Sequence, residues 1–415
     1  ARQRHLAHVE LMAALPHGLT PPGRASLFSW LMQGVRDGDV DLRPEEIWWL
    51  FLAADQAPSA ELMLAHSFTP QWQRLHPAGT TVSGAEAFAA WFTLTYGAQG
   101  PWLDTLEWQF DRAPSEQLRI AFFATPSWRA AHPSALDDEG RALAFLQWLA
   151  SIDSGLDERR RNWCASLDLQ GVAAELCRRG ANVLGHFCYP SGLRVSVESM
   201  VQAMRLAGRN PALRDVITDF ATDEPHHADY RASATYPVSI VHVQPEPFFD
   251  EAWQRAQVVE LNSKRYRIGY WYWEFDTIPE EWTRHAQGLD EVWAATEFVA
   301  RGLRKRLSIP VRTLFPGVKL APYKQRSKRE FGLDEGKYTF LFIFHMMSVM
   351  ERKNPLGLIR AFKKAFGPQD AASLVLKTSF GDRHPDQLRE LREAAAGANI
   401  TLNDQVMNPD EVVSL

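Results

Sequence analysis

Two adjacent cations, Arg352 and Lys353, separate an apolar segment from an amphipathic one. The apolar residues 338–344 predict a buried parallel strand, and residues 356–366 predict a helix. Arginine donates a fork of charge-assisted hydrogen bonds, lysine adds a point charge, and free N–H groups at a helix start add positive potential. The pattern therefore favours an anionic diphosphate ligand. The alternative is a solvated loop that carries two surface cations.

Short apolar strands alternate with helical stretches from about residue 180 onward. This alternation predicts parallel sheets covered by helices, and ligands of such sheets bind at the carboxyl ends of the strands. A loop over 188–193 and an amphipathic helix over 195–207 follow the first predicted strand. The strands are predicted over residues 180–186, 238–243, 267–273, 292–295, 311–315, 338–344, 373–378 and 400–402.

The first 175 residues contain an internal repeat, in which Thr69-Pro70, Trp72 and His76-Pro77 recur as Thr125-Pro126, Trp128 and His132-Pro133. Self-similarity of this kind predicts repeated helical units, with threonine as a helix cap and proline in the first turn. We expect the tryptophan rings to pack between units rather than to form a ligand cage. The two histidines are expected in linkers, because no further ligand stands at metal-binding spacing. Such a module would position an acceptor or bind a protein partner.

The composition is that of a globular protein, with 415 residues, 46% hydrophobic and 23% charged, and a net charge of −5. The charge gives no reason to expect nucleic-acid binding. Three cysteines without a Cys-x-x-Cys spacing predict reduced thiols, and no apolar segment reaches the length of a membrane span. We therefore expect a cytoplasmic protein.

A basic stretch follows residue 318 and comprises Lys319, Lys324, Arg326, Lys328 and Arg329. We interpret it as a solvated linker, or alternatively as a peripheral contact with an anionic membrane.

Six short motifs follow one another through residues 180–415. They are Pro190-Ser191-Gly192-Leu193, Gly269-Tyr270-Trp271-Tyr272-Trp273-Glu274, Thr296-Glu297-Phe298-Val299, Phe315-Pro316-Gly317-Val318, Glu351-Arg352-Lys353-Asn354-Pro355 and Leu376-Lys377-Thr378. In this order they resemble the GT-B glycosyltransferases, and most closely the family 4 retaining enzymes of polysaccharide and lipopolysaccharide assembly. The resemblance implies two Rossmann-like domains, over 176–318 on the acceptor side and over 319–415 on the nucleotide-sugar side. An all-α, tryptophan-rich repeat domain over 1–175 precedes them.

The resemblance also implies an activity, the transfer of a sugar from a nucleotide-diphosphate donor to a glycan or lipid-linked acceptor with retention and without a metal. Arg352 and Lys353 would bind the diphosphate and stabilise its developing charge. Glu274 would be the acidic residue of the catalytic centre. The remaining donor-binding residues would be Ser191, Gly192, Asn354 and Lys377.

Three further residues are candidates on the acceptor side. His186 either polarises the donor or is a structural histidine. Trp273 and Trp271 could each stack on a sugar ring. Because successive strand residues point to opposite faces and only one face is expected to serve the cleft, core packing is the alternative for Trp271. Glu198 would hold the glycine loop, which is the loop over 188–193 that contains the motif Pro190-Ser191-Gly192-Leu193, by hydrogen bonds.

One expected element of the family is missing. Family 4 enzymes carry a Glu-x7-Glu element beyond the segment that follows Asp404, whereas this sequence ends at Leu415. We therefore expect the second domain to be incomplete here and the native protein to be longer. If the native protein also ended at this point, loss of this element would favour an alternative function, a non-catalytic partner subunit that acts through its helical repeats. A sugar-phosphate epimerase of the GT-B class is a third reading.

Overall fold

The computed structural model describes residue 11 and residues 14–40, 42–104, 110–218, 229–231, 235–250, 252–253, 265–317, 322–346 and 350–415. The chain divides into two compact units, Ala1–Gly317 and Val318–Leu415. Each unit contains a parallel sheet, and a helical region precedes the first sheet. The predicted class, α/β with two parallel sheets after an all-α region, is confirmed.

The helical region consists of short helices, many of which begin at a proline. Their bounds are α1 Arg24–Asp37, α2 Pro44–Gln56, α3 Pro58–Phe68, α4 Pro70–Leu75, α5 Ala85–Tyr96, α6 Pro114–Ala124, α7 Pro126–Ala131, α8 Glu139–Ala150, α9 Glu158–Ala165 and α10 Leu169–Cys177. The series α3 to α5 recurs as α6 to α8, so the repeat seen in the sequence is a repeat of structure.

The prolines of the repeat stand at the first helical position, as predicted, because their missing N–H is not needed there. The expected threonine caps are wrong. Neither Thr69 nor Thr125 caps its helix through the side chain. The hydroxyl of Thr69 instead donates to the carbonyl oxygen of Ala65 at 2.7 Å, which ties the end of α3 to the start of α4.

The repeated tryptophans are core residues, as predicted. Trp72 is 2% exposed and Trp128 is 4% exposed. The Trp72 ring lies 5.7 Å from the ring of Phe88, and the Trp128 ring lies 5.7 Å from the ring of Phe145. Each unit therefore closes its core with the same aromatic pair.

The repeated histidines end the short helices and pack against aromatic rings. His76 lies 5.0 Å from Trp91 and His132 lies 4.9 Å from Trp148, between ring centroids. Throughout the residues that the structure describes, no group of three or more histidine, cysteine or acidic side chains is arranged to hold a metal ion.

A buried arginine joins the helical region to the first sheet. Arg119 of α6 donates to the carbonyl oxygens of Glu175 at 2.7 Å and of Arg178 at 3.4 Å. Its guanidinium group also lies 4.5 Å from the ring centre of Tyr236, which precedes a central strand of the sheet. One side chain thus connects the second repeat, the end of α10 and the sheet.

The first sheet has six parallel strands in the order β2-β1-β3-β4-β5-β6. Its elements are β1 Gly180–Gly185, α11 Gly192–Leu206, β2 Asn210–Asp215, β3 Val238–His242, β4 Tyr266–Trp271, α12 Thr283–Ala286, β5 Glu291–Ala294, α13 Glu297–Arg304 and β6 Val311–Thr313. Strand β2 is absent from the sequence-based prediction because its residues, Asn-Pro-Ala-Leu-Arg-Asp, show no apolar pattern. Tyr270 and Trp271 are both fully buried, so both faces of β4 are covered.

The second sheet has three parallel strands in the order β7-β8-β9. Its unit contains β7 Tyr338–Ile343, α14 Met350–Lys353, α15 Pro355–Ala365, β8 Ala372–Lys377, α16 Pro385–Ala395, β9 Ile400–Asn403 and α17 Pro409–Ser414. Several cations of the basic stretch bond within this unit: Arg326 pairs with Asp410 at 2.8 Å, and Lys328 donates to the carbonyl oxygen of Lys337 at 2.7 Å. Lys319 lies outside the described residues.

All three cysteines are free, and Cys164 and Cys188 are buried. Among the described helices, none combines the length and the apolar character needed to cross a membrane.

Replacement of Trp72 by alanine should destabilise the first unit by about 3–5 kcal/mol, because it leaves a large cavity in the repeat core. Replacement of Trp49, which is 72% exposed, is the matched control and should cost less than about 0.5 kcal/mol. Urea unfolding followed by far-UV circular dichroism measures both. Equal stability of the two variants would contradict the packing role of Trp72.

His66 should make the first unit sensitive to acid. Its ring is buried, Nε2 donates to the carbonyl oxygen of His76 at 2.8 Å, and burial lowers the pKa of His66 to about 4. Because the folded state binds the proton less readily than the unfolded state, this residue lowers stability as pH falls from about 6.5 to 4, by about 3 kcal/mol in total.

Phe122 occupies the corresponding position of the second repeat, so His66→Phe is the natural variant. The free energy of unfolding, measured at pH 7.5 and pH 4.5, should fall less for this variant than for the wild type. An identical pH dependence of the two proteins would show that His66 does not cause the acid sensitivity.

Candidate functional site

The two cations of the second unit lie at a junction between helices. Arg352 and Lys353 end α14, and α15 begins at Pro355. The intervening Asn354 has a left-handed backbone, with φ of 52°, and its side-chain oxygen accepts a hydrogen bond from the N–H of Gly357 at 3.1 Å. Asparagine tolerates this conformation better than most residues and is a strong N-cap.

Positive charge dominates this junction. Burial, and then the charges of Lys353 and Arg352, lower the pKa of His345 in the loop after β7. In the described parts of the chain, no ion pair neutralises Lys353. The carboxyl end of β7 therefore presents cations next to the start of an eleven-residue helix, which is an arrangement suited to an anion.

The loop after β8 runs beside this junction. The N–H of Met346 donates to the carbonyl oxygen of Ser379 at 3.0 Å, which continues the pairing of β7 with β8 beyond the strands. The next residue, Phe380, has φ of 62°. Of the described residues, only Asn354 and Phe380 are non-glycine residues with positive φ, and both lie at this edge. A left-handed backbone at a bulky residue such as Phe380 costs about 1–3 kcal/mol, and such strain clusters at functional sites.

Lys377 is predicted to bind the donor, and the structure places its ammonium group on backbone oxygens. The side chain is buried, and Nζ donates to the carbonyl oxygens of Gln405, at 2.7 Å, and of Thr378. Burial lowers the pKa of Lys377. These bonds hold the loops after β8 and β9 together, so a role toward the donor would be exerted through those loops.

In the first unit, the glycine loop is held by a carboxylate that the sequence analysis does not identify. Asp215, the last residue of β2, accepts hydrogen bonds through Oδ1 from the N–H of Phe187 at 2.8 Å and of Cys188 at 3.1 Å. The assignment of this role to Glu198 is not what the structure shows. Glu198 lies on the surface of α11 and pairs with Arg194 of the same helix at 3.0 Å.

Ser191 and Gly192 form the start of α11. The Ser191 hydroxyl accepts a hydrogen bond from the N–H of Arg194 at 3.4 Å, so the helix begins at Gly192 rather than at the predicted residue 195. A Cβ atom on Gly192 would meet no protein atom within 4 Å. The fold itself therefore does not require glycine at this position.

His186 is fully buried behind the glycine loop. Its Nδ1 bonds the carbonyl oxygen of Val216 at 2.8 Å, so Nδ1 carries the proton, while Nε2 is buried without a hydrogen-bond partner. Burial lowers the pKa of His186. The ring of Phe249 lies 5.3 Å away. The histidine is therefore a neutral, enclosed group.

Trp273 and Glu274 follow β4 at the carboxyl end of the first sheet. Trp273 is half-buried; its Nε1 donates to the carbonyl oxygen of Thr277 at 2.7 Å and its ring lies 4.5 Å from that of Trp282. Glu274 is exposed. Burial, and then the negative charge of Glu274, raise the pKa of Glu246, which follows β3. Glu246 is not among the residues predicted from the sequence, although its place just beyond a strand is a signal.

A buried polar network lies beside these residues. His242, the last residue of β3, contacts the hydroxyl of Ser196 through Nε2 at 2.9 Å, and Ser196 in turn bonds the hydroxyl of Tyr272. Burial lowers the pKa of His242 to about 3, so the ring is neutral. The network ties α11 to β3 and to the segment after β4, and so fixes the helix that carries the glycine loop.

Comparisons with known proteins leave the family open. No protein-family model matches the chain, and the curated proteins contain no significant match. Among solved structures, a mutant of the Thermobaculum terrenum O-GlcNAc transferase aligns with a TM-score of 0.37 and 13% identity, over 95% of this chain and 77% of that one. At this score and identity the alignment assigns no activity to this chain.

Gly192→Ala should test whether a ligand approaches the glycine loop. Since protein atoms leave the Cβ position open, the variant should melt at the wild-type temperature or slightly above it. Its affinity for nucleotide sugars, measured by calorimetry, should fall because the methyl group occupies space meant for the ligand. Gly140→Ala, the same change in the first turn of α8, is the control. Unchanged affinity of Gly192→Ala would contradict a ligand contact at this loop.

Proposed function

We propose that this chain is a GT-B glycosyltransferase that moves a sugar from a nucleotide-diphosphate donor to a glycan or lipid-linked acceptor. The proposal includes the retaining, metal-independent chemistry of the family 4 enzymes that its motifs resemble. The observation that carries it is the cationic junction of the second unit, where Arg352 and Lys353 stand at the carboxyl end of β7 and at the start of α15.

A diphosphate matches this junction in charge and in geometry. Arg352 can donate two parallel hydrogen bonds to phosphate oxygens, and Lys353 adds a mobile point charge. The first turn of α15 contributes the positive end of its dipole. The Asn354 turn fixes the start of α15 before any ligand binds, so the N–H groups of that helix start need little reorganisation when negative charge develops.

In the proposed reaction, the bond between the anomeric carbon and the phosphate oxygen breaks and its electron pair stays on the diphosphate. The acceptor hydroxyl attacks the same face of the sugar and passes its proton to that phosphate oxygen. Arg352 and Lys353 stabilise the leaving group. No protein nucleophile is needed in this scheme.

The acceptor side is proposed at the carboxyl end of the first sheet. The exposed carboxylate of Glu274 would accept hydrogen bonds from acceptor hydroxyls, and Glu246 lies close enough for the two charges to interact. The half-buried ring of Trp273 offers an apolar surface beside them. His186, enclosed behind the glycine loop, would act by fixing the Val216 backbone.

A second candidate function is a non-catalytic partner subunit. The observation that favours it is an exposed apolar surface on α2, where Trp48 is 60% exposed, Trp49 is 72% exposed and Leu52 is 51% exposed. Exposed aromatic clusters of this kind often mark protein-interaction sites. In this function the helical repeats bind other assembly proteins and the second unit binds nucleotide or nothing.

Thermal-shift measurements with nucleoside diphosphates and nucleotide sugars test the proposal. A ligand at 100 times its dissociation constant should stabilise the wild-type protein by about 2.7 kcal/mol. Lys353→Ala should abolish most of this shift. Lys364→Ala removes the same charge from the far end of α15 and should leave the shift intact.

The outcomes test the nucleotide site that the transferase proposal requires. A shift that Lys353→Ala removes and Lys364→Ala preserves supports that site, and the nucleotide that gives the largest shift identifies the base that it prefers. If no nucleotide stabilises the folded wild-type chain, the transferase proposal is wrong and the partner function is favoured.

A further inference from the structure

We infer that Phe380 is the stacking surface for the base of a nucleoside diphosphate bound at the carboxyl end of the second sheet. The inference rests on the proposed nucleotide site and extends it, because it assigns a residue to the base rather than to the phosphates. The observations that support it are the backbone conformation of Phe380, the exposure of its ring and its position relative to the cations.

The backbone at Phe380 selects against a large side chain. Its φ of 62° lies in the left-handed region, which glycine adopts without cost and bulky residues rarely adopt. The turn that follows, Gly381–Arg383, needs this conformation to leave β8. Glycine or asparagine at position 380 would supply it at lower cost, so the turn does not explain a phenylalanine.

Burial does not compensate for the strain either. Phe380 is 38% exposed, whereas Phe344 and Phe362 of the same unit are 6% and 5% exposed in its core. The ring of Phe380 lies 5.3 Å from the guanidinium group of Arg383 and meets the ring of His345 edge-on at 6.4 Å. A partly exposed aromatic side chain on a strained backbone indicates a role in binding rather than in folding.

The position of the ring connects it to the cationic junction. His345 contacts Phe380 and also lies in the field of Lys353 and Arg352, whose charges lower its pKa. The loops that carry His345 and Phe380 are held side by side by the hydrogen bond from Met346 to Ser379. Cations for phosphate and an aromatic face for a planar base thus share one edge of the sheet.

Stacking on an aromatic side chain suits a nucleobase because every base has a flat π-face. The guanidinium group of Arg383 beside the same ring can add a cation–π contribution. The phosphates would remain with Arg352 and Lys353. The two parts of the ligand therefore depend on different residues and can be tested separately.

Calorimetric titrations of the full chain with UDP, GDP and inorganic pyrophosphate provide the test. Phe380→Gly should melt at or above the wild-type temperature, because it relieves the left-handed strain. Its dissociation constants for UDP or GDP should rise roughly 5- to 150-fold, the range expected for loss of one base stack. Its affinity for pyrophosphate should not change.

Two further variants distinguish the aromatic face of Phe380 from the volume of its side chain. Phe380→Leu keeps an apolar side chain without a π-face and should lose nucleotide affinity, whereas Phe380→Trp keeps the face and should retain it. Wild-type nucleotide affinity in Phe380→Leu or Phe380→Gly would overturn the stacking role while leaving the phosphate site in place. A drop in both melting temperature and pyrophosphate affinity in Phe380→Gly would show a structural ring and also overturn it.

If the proposed nucleotide site itself is wrong, the titrations of the wild-type protein give a different result. If wild-type protein binds neither pyrophosphate nor either nucleotide, the proposed nucleotide site is wrong and the stacking role falls with it. If the wild type binds pyrophosphate as tightly as both nucleotides, the phosphate site stands and the base has no stacking partner.

Discussion

The left-handed turn at Asn354 is the constraint on which the candidate site depends. It ends α14 immediately after Arg352 and Lys353, and its side chain starts α15 by capping Gly357. If the helix continued through this residue, no helix start would follow the two cations. The turn places the first turn of α15 directly after Arg352 and Lys353, and asparagine is the residue type that forms it at low cost.

Comparable constraints act in the first unit, where buried charged or polar groups bind backbone atoms. Asp215 holds the N–H groups that start the glycine loop, and Arg119 holds carbonyl oxygens at the end of α10. Because buried polar groups must find partners, such side chains fix the backbone segments that they bind. The helical region is therefore attached to the sheet by specific bonds, and the carboxyl end of the sheet is shaped by the same kind of bond.

Much of the fold follows from local sequence patterns. The apolar runs of β3 and β8, the repeat around Trp72 and the paired cations before α15 are each visible within a dozen residues. The features that the sequence does not reveal depend on contacts between distant segments. Strand β2 has no apolar alternation, because it lies at the edge of the sheet and is only half buried. Glu246 comes close to Glu274 only because the strands that precede them lie side by side. The hydrogen bond from Lys377 to the carbonyl oxygen of Gln405 likewise depends on the pairing of neighbouring strands.

The central claim, that the second unit binds a diphosphate at the Asn354 junction, is tested most directly by a crystal structure of the chain with a bound nucleoside diphosphate. The account predicts phosphate oxygens within hydrogen-bonding distance of the side chains of Arg352 and Lys353 and near the first turn of α15. A nucleotide whose phosphates bind elsewhere, with both cations left in solvent, would contradict it.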